Sequence, residues 1–358
     1  MVGHAGSSGD LCSMDVAERR GSLLIGSDLT MDVEMARRHR PLVVLLGPTA
    51  VGKSRVAIQV AKYLNTEILT ADSRQVYRGM DIGTDKPTVE DRQVVPHQLL
   101  DLVSPDETFN TGWYRRAALE HIERLYVANR LPFVVGGTGL YIRTLVRGLC
   151  PAPQADPIVR AALKELKEQA GRQGLYAELT RVDPAAAARL HPNDESKVMR
   201  ALEVFRLSGR LMSEMQDEHR FQEESFSPLL IGLQRTTETL YRRIDERIDW
   251  QLAHGMVEET RSLLERGYGR ELGAMKGLGY RHIGAYLANE CDEAEMVRLF
   301  KRDTRRFAKR QMTWFRKEPG VEWFLIDEGE AFEQVGRRVI TRIEQFLHGH
   351  EAPKHSLA

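Results

Sequence analysis

The sequence predicts an α/β protein in which a parallel sheet is interrupted by a block of helices. Three short apolar runs indicate strands: Leu42 to Leu46, the segment EILTADS with its strand ending on Asp72, and Pro132 to Val135. The first and third runs each lead through a glycine-rich turn into a helical pattern, an alternation typical of parallel sheets. It stops at the proline-rich stretch PAPQADP, after which no strand pattern is evident up to residue 225.

The first strand runs into the motif GPTAVGKS, which matches the phosphate-binding P-loop pattern G-x-x-x-x-G-K-[ST]. Its glycines allow a tight turn whose N–H groups face an anion, and the following helix adds the positive end of its dipole. Lys53 supplies a mobile cation, and Ser54 supplies a hydroxyl for Mg²⁺. The sheet is therefore predicted to be P-loop NTPase-like. The predicted phosphate cradle consists of Gly47, Pro48, Thr49, Ala50, Val51, Gly52, Lys53 and Ser54.

Asp72 is the acidic residue expected nearest to this cradle. Gly47, Asp72 and Gly136 each follow directly on a strand, and ligands of parallel sheets collect at the carboxyl ends of the strands. We therefore expect the three positions to converge. Asp72 has three interpretations: a turn aspartate, a ligand of the phosphate-bound Mg²⁺, or a general base that takes a proton from an incoming nucleophile. The residues alone do not separate the last two.

The predicted strands do not carry the acidic pair that activates water in motor ATPases. The strand FVV ends in Gly136, Gly137 and Thr138, and no candidate strand ends in two acidic residues. This absence disfavours nucleotide hydrolysis and leaves open a cradle that binds a leaving diphosphate.

Residues 151–225 are predicted to form a helical insertion. Asp156 before Pro157 and Asp183 before Pro184 are N-cap signals followed by proline at the first helical position. After the insertion, LLIGLQ resembles a returning strand, and a long helix is predicted to follow and to end by Gly267. The remainder, to about Leu347, is predicted to be helical with one short strand, VEWFLI.

Two groups of cations are candidates for contacts with a ligand. Arg243 and Arg247 lie four residues apart on the long helix, so they share a face that is turned either to solvent or to the phosphate site. The segment KRDTRRFAKRQMTWFRK carries eight Lys or Arg residues against one Asp, with three aromatic residues between them. Such a run is either a solvated face or an RNA contact, and the aromatic residues favour RNA.

Composition sets the broad class. The 358 residues have a formal net charge of +0, which excludes a uniformly basic coat for nucleic acid but not a local basic patch. The three cysteines form no C-x-x-C pair, which is typical of a reducing compartment and gives neither a disulfide framework nor a zinc site. No stretch approaches the ~18 apolar residues that span a bilayer. We expect a cytoplasmic protein with no membrane contact, a disordered extension over residues 1–40 and a tail over 348–358.

Several stretches together resemble the tRNA dimethylallyltransferase family, the tRNA isopentenyltransferases of bacterial type. They lie in family order over about residues 41 to 320. The matching stretches are GPTAVGKS, ADSRQVYRGMDIGTDKP, PHQLLD, VGGTGLYIRTLVRGL, HPNDESKVMRALEVF and GLGYR. The second of these is far more specific than the P-loop pattern.

This resemblance implies transfer of a dimethylallyl group from dimethylallyl diphosphate to N6 of the adenine just 3′ of the anticodon in tRNA, with Mg²⁺ as cofactor. It implies a P-loop core made of residues 41–150 and 226–347, and an insertion, 151–225, that grips the anticodon stem-loop. We expect the enzyme to be a monomer.

The resemblance also implies roles for individual residues. Asp72 would be the base that accepts the N6 proton, while Lys53, Ser54 and Arg247 would act on the diphosphate, with Ser54 near Mg²⁺. Contacts with tRNA are implied for Asp72, Ser73, Arg74, Gln75, Thr138, Arg160, Ser196, Lys197, Val198, Met199, Arg200, Lys276, Gly277, Leu278, Gly279, Tyr280 and Arg281.

Two other functions remain as alternatives. One is a P-loop kinase or an adenylate isopentenyltransferase acting on a free nucleotide; the other is a non-catalytic RNA-binding protein that uses the P-loop as a nucleotide switch. The helical insertion and the basic aromatic segment disfavour the first, because an enzyme for small molecules needs neither. The Asp72 segment disfavours the second.

Overall fold

The computed structural model describes residues 39–219 and 225–351. Most of the predicted extension, 1–40, and of the predicted tail, 348–358, lies outside these residues. The last helix runs to Glu351, past the predicted start of the tail at residue 348.

The first half of the core alternates strands and helices, as predicted. Its elements are β1 (Pro41–Leu46), α1 (Lys53–Tyr63), β2 (Ile68–Ala71), α2 (Val89–Val94), β3 (His97–Gln98), α3 (Thr111–Val127), β4 (Phe133–Gly136) and α4 (Gly139–Arg147). All six residues of β1 are buried, because helices cover both faces of a parallel sheet and favour a continuous apolar run over an alternating one.

Helices then follow without a strand among the described residues up to 219. They are α5 (Pro157–Val182), α6 (Pro184–Arg189), α7 (Glu195–Ser208) and α8 (Met212–His219). The two predicted caps are confirmed: the Asp156 carboxylate accepts from the N–H groups of Ile158 and Val159, and the Asp183 carboxylate accepts from the N–H of Ala186. These helices bury a small hydrophobic core of their own, separate from that of the sheet.

The chain then completes the sheet and adds further helices. The elements are β5 (Ser227–Gln234), α9 (Thr237–Ala253), α10 (Met256–Glu265), α11 (Tyr280–Leu287), α12 (Glu293–Phe315), β6 (Val321–Leu325) and α13 (Phe332–Glu351). The prediction of a single long helix that ends by Gly267 is wrong. This part of the chain forms two helices, α9 and α10, which are divided at Gly255, whose φ of 97° lies outside the helical region.

The six strands form one parallel sheet in the order β3-β2-β4-β1-β5-β6. β1 is therefore central, with β4 on one side and β5 on the other. The loops after β1, β2 and β4 lie side by side at the carboxyl edge, and a hydrogen bond of 3.1 Å from Thr138 N to Ala71 O joins two of them. The expected convergence of Gly47, Asp72 and Gly136 is confirmed. Within the two described stretches, no helix has both the length and the apolar character needed to cross a membrane.

Candidate active site

The loop between β1 and α1 has the tight turn that the motif predicts. Gly47 and Gly52 have φ values of 150° and 113°, in the region that favours glycine. Space also requires glycine at both positions. A Cβ on Gly47 would lie 2.6 Å from the carbonyl oxygen of Leu233, and one on Gly52 would lie 2.3 Å from the ring of Phe332. Helix α1 begins at Lys53, so its N-terminus faces the loop, where an anion is favoured.

Two arginines fix the outer side of this loop. Arg243 Nε donates to Ala50 O at 2.9 Å, and Arg235 Nε donates to Val51 O at 3.0 Å. Because C=O and N–H point in opposite directions across a planar peptide, the Gly52 N–H is turned away from Arg235. Of the two alternatives for Arg243, the structure favours the phosphate loop, where its guanidinium donates to the Ala50 carbonyl.

Lys53 lies inside the turn. Its Nζ donates to Gly47 O at 3.0 Å and to Pro48 O at 2.8 Å. Burial lowers the pKa of Lys53 to about 8; Asp72 opposes this shift and Arg247 adds to it. The ammonium is thus poorly solvated, and a bound anion would favour its charged form.

Arg247 reaches the same loop from α9. Its guanidinium donates to the Thr49 hydroxyl at 2.7 Å and to the Asp85 carboxylate at 3.2 Å. Its Nε is buried and has no hydrogen-bond partner among the residues that the structure describes. A buried donor left unpaired costs about 1–3 kcal/mol, so this atom is suited to an acceptor supplied by a ligand.

Asp72 lies at the end of β2, beside the cradle. One carboxylate oxygen accepts from Arg74 N at 2.8 Å, so Asp72 does stabilise a turn. The neighbouring Ser73 N donates to the Thr138 hydroxyl at 2.9 Å, which joins this turn to the loop after β4. The negative charge of Asp72 also acts on Lys53 and favours the charged form of that lysine. The turn role does not exclude either of the chemical roles.

The structure adds Gln311, which the sequence interpretation missed. Its amide on α12 accepts from Thr49 N at 2.9 Å and donates to Gly137 O at 2.9 Å. It thereby bridges the loops after β1 and β4. No sequence signal pointed to this residue, because it is a neutral amide within a cationic segment and lies 262 residues from Thr49.

The loop after the Asp72 turn also contributes to the site. Asp85, the partner of Arg247, belongs to the segment MDIGTDKP. The Gln75 side chain donates to the carbonyls of Thr84 and Asp85 at 3.1 and 3.0 Å, so its amide nitrogen is engaged in holding this loop. The Arg74 guanidinium likewise donates to Gly273 O at 2.8 Å.

In the helical insertion, the buried carboxylate of Glu203 pairs with two arginines that are predicted to contact tRNA. Glu203 accepts from Arg160 at 2.9 Å and from Arg200 at 2.8 Å, and also from Asp156 N at 3.0 Å. Burial alone would raise the pKa of Glu203, but hydrogen bonds from the two arginines outweigh it and the pKa lies below the usual range. The Arg160 side chain is 45% exposed and remains accessible to a ligand.

Not all of the side chains that are predicted to contact tRNA are exposed. Val198 is 1% exposed and belongs to the core of the insertion, and Tyr280 is 2% exposed with its hydroxyl bonded to Glu259. Neither side chain is available to RNA. Gly277 and Gly279 are also buried, and Leu278 and Met199 are partly buried in apolar clusters. The exposed members of the two predicted segments are Ser196, Lys197, Lys276 and Arg281.

The basic segment on α12 forms an open surface groove of about 410 Å³. It is lined by Arg306, Lys309, Arg310, Thr313, Trp314 and Lys317. Other cations of the segment are paired with acids: Lys301 with Asp249 at 2.6 Å, and Arg305 with Asp245. The predicted mixture of cations and an aromatic ring is thus present on one exposed face.

The fold and the site define a P-loop α/β protein with an anion cradle beside a carboxylate and an inserted helical bundle. The family model described as IPP transferase matches residues 75–318, and one described as Isopentenyl transferase matches residues 41–102. The first match covers more than half of the chain, which therefore belongs to the IPP transferase family.

Curated relatives and solved structures with similar chains agree with this family assignment. A tRNA dimethylallyltransferase of Geobacter sulfurreducens is 49% identical over 79% of this chain and 91% of its own length; one of Syntrophobacter fumaroxidans is 47% identical over 82% and 86%. The crystal structure of a tRNA isopentenylpyrophosphate transferase of Bacillus halodurans has a TM-score of 0.65 and 36% identity, covering 87% of this chain and 98% of that one. A eukaryotic dimethylallyltransferase acting on tRNA has a TM-score of 0.77 and 26% identity, covering 88% and 81%.

Proposed function

We propose that this protein transfers the dimethylallyl group of dimethylallyl diphosphate to N6 of the adenine 3′ of the anticodon in tRNA and releases diphosphate. The observation that carries this proposal is the unpaired, buried Nε of Arg247 beside the P-loop of a member of the IPP transferase family. The charge of Asp72 acts on Lys53 of the same loop. The alternative of a free-nucleotide kinase or prenyltransferase is not favoured.

The leaving diphosphate is the group that needs most stabilisation, because an exocyclic adenine amine is a poor nucleophile. The loop Gly47 to Ser54 would surround it with N–H groups, Lys53 would turn from the loop carbonyls to the phosphate, and Arg247 would donate its free N–H. The loop N–H groups and the Arg247 N–H would already be in place when negative charge develops on the leaving group, and such donors lower the barrier directly.

The donors present also fit Mg²⁺. Mg²⁺ is usually held by few protein ligands together with substrate phosphates and waters, and the hydroxyl of the exposed Ser54 at the start of α1 would be such a ligand. When bound, the ion would neutralise charge on the diphosphate. The carboxylates of Asp72 and Asp85, whose charges both act on Lys53, add negative charge that is compatible with a divalent cation.

Asp72 would accept the proton that the adenine loses. The N6 lone pair forms the new bond to the allylic carbon while the bond from that carbon to the diphosphate oxygen breaks. The N6 proton passes to the Asp72 carboxylate, so both charge and atoms balance. Asp72 follows directly on β2, which is separated from β1 and its cradle by β4 alone, and this placement suits a base that faces the incoming amine.

The RNA would be held by cations that are exposed or half-buried. Arg160 with Arg200 in the insertion, Lys276 with Arg281 near α11, and the groove on α12 present positive charge to a phosphate backbone. The target adenine must leave its stack, at a cost of about a few kcal/mol, which such contacts would offset. We expect one chain to suffice, so the enzyme would act as a monomer.

The test compares two acceptors. The protein is incubated with dimethylallyl diphosphate, Mg²⁺ and either an anticodon stem-loop with the target adenine or AMP, and the products are analysed by mass spectrometry. We expect one dimethylallyl group on the stem-loop and none on AMP. A stem-loop in which guanine replaces the target adenine is the matched control. Prenylation of AMP without prenylation of the RNA would instead support the free-nucleotide enzyme.

A further inference from the structure

Glu259, on the first turns of α10, collects four hydrogen bonds from two separate parts of the chain. One carboxylate oxygen accepts from the backbone N–H groups of Asp81 and Ile82, both at 2.8 Å. The other accepts from Gly83 N at 3.1 Å and from the Tyr280 hydroxyl at 2.6 Å. A carboxylate has about four acceptor sites, so all of them are filled. Three successive backbone N–H groups that converge on one anion form a nest.

The loop that Glu259 holds is the one that carries Asp85 to the active site. The loop, residues 80–86, is tied at its end by the buried Lys86, which bonds Asp81 and Asp101 at 2.6 Å each. Its middle is held by Glu259 and by Gln251, which donates to Ile82 O at 2.7 Å. The fit is close, because a Cβ on Gly83 would lie 2.6 Å from the Tyr280 hydroxyl.

From this loop a short chain of contacts leads to the phosphate cradle. Asp85 accepts from Arg247 at 3.2 Å, and Arg247 donates to the Thr49 hydroxyl at 2.7 Å. The same loop offers its carbonyls to Gln75, which lies in the turn of Asp72. A shift of the loop backbone would therefore move the acidic partner of Arg247, whose buried Nε has no hydrogen-bond partner among the described residues.

We infer that Glu259 is a positioning residue: by holding the backbone of residues 81–83 it places Asp85, and through Asp85 it orients Arg247 for the diphosphate. The inference rests on the proposed function for the identity of the diphosphate. Glu259 itself does not touch the substrate. Its carboxylate holds the loop because both of its oxygens accept hydrogen bonds from the surrounding donors. An amide in its place has only one acceptor oxygen.

The experiment measures the binding of inorganic diphosphate, with Mg²⁺ present, by calorimetry, together with the KM for dimethylallyl diphosphate and kcat on the stem-loop. Glu259→Gln is compared with Glu258→Gln, the adjacent and exposed carboxylate on the same helix. We expect Glu259→Gln to weaken diphosphate binding by about tenfold and to raise the KM by a similar factor. Glu258→Gln should match the wild type. Tyr280→Phe, which removes one of the four bonds, should shift both values in the same direction by less.

A double-mutant cycle with Asp85→Asn tests the route of the effect. If Glu259 acts through Asp85, the double variant should bind diphosphate no more weakly than Asp85→Asn alone. Additive losses would overturn the inference. So would a Glu259→Gln variant that melts at a lower temperature but, well below its Tm, binds diphosphate as Glu258→Gln does, because that pattern describes a purely structural residue. If the wild type binds diphosphate but does not prenylate RNA, the proposed function fails while the binding data still decide the role of Glu259.

Discussion

The phosphate cradle and the helical insertion hold their cations in different ways. In the core, Arg235 and Arg243 donate to backbone carbonyls of the loop that follows β1, and Leu42 to Leu46 of that strand belong to the large hydrophobic cluster. In the insertion, Arg160 and Arg200 share the carboxylate of Glu203, and the hydrophobic core is small. Backbone acceptors fix the geometry of the cradle, whereas the partly exposed guanidiniums beside Glu203 have donors that can turn to a phosphate while the ion pair is kept. The difference suggests a rigid site for chemistry and an adaptable one for RNA.

The largest effect should come from Asp72→Asn. Asparagine keeps an oxygen that can accept from Arg74 N, so the turn is preserved while the base is lost. We expect kcat to fall by roughly 10²–10⁴-fold with little change in stem-loop affinity. Single-turnover rates and stem-loop binding are the measurements. Asp72→Ala, which also removes the turn contact, is the companion variant; turnover equal to the wild type in Asp72→Asn would rule out the base.

Most of the fold around these residues could be predicted from the sequence, because the patterns that indicate its strands and helix ends are local. Strand runs, the P-loop and the proline-preceded caps at Asp156 and Asp183 depend on neighbouring residues only. The break at Gly255 was missed because the apolar spacing continues across it and a single glycine is tolerated within a helix. Gln311 and Glu259 were missed because each bonds backbone groups more than 170 residues away, which no local pattern encodes.

The pH dependence of diphosphate binding probes the core in a second way. Burial lowers the pKa of Lys53 to about 8 in the free protein, so the ammonium is present below that pH and is lost above it. We expect the advantage of the wild type over Lys53→Met in diphosphate affinity to be constant below about pH 8. It should then decline by up to about tenfold per pH unit above that value. The ratio cancels the titration of diphosphate itself. If this advantage persisted unchanged to about pH 10, the pKa of Lys53 would be that of an ordinary lysine, and the expectation would be wrong.

The smallest effect is expected in the insertion, from Arg160→Ala. Loss of one phosphate contact should weaken stem-loop binding by roughly fivefold and reduce the slope of log affinity against log salt by about one. The KM for dimethylallyl diphosphate should not change, since Arg160 lies outside the core. The control is Arg181→Ala, an exposed arginine of the same helix that pairs with Glu178. Equal losses in both variants, or a change in the KM, would remove the contrast between the two regions.

The central claim is that the cradle holds a diphosphate so that it can leave carbon. It is tested most directly with dimethylallyl diphosphate labelled with ¹⁴C in the prenyl group and with ³²P in the diphosphate. The labelled substrate is given to the wild-type protein with Mg²⁺ and the stem-loop. We predict that the carbon label appears in the RNA while all released phosphorus is recovered as inorganic diphosphate, in equal amounts. Phosphorus in the RNA, or diphosphate released without carbon transfer to it, would contradict the account.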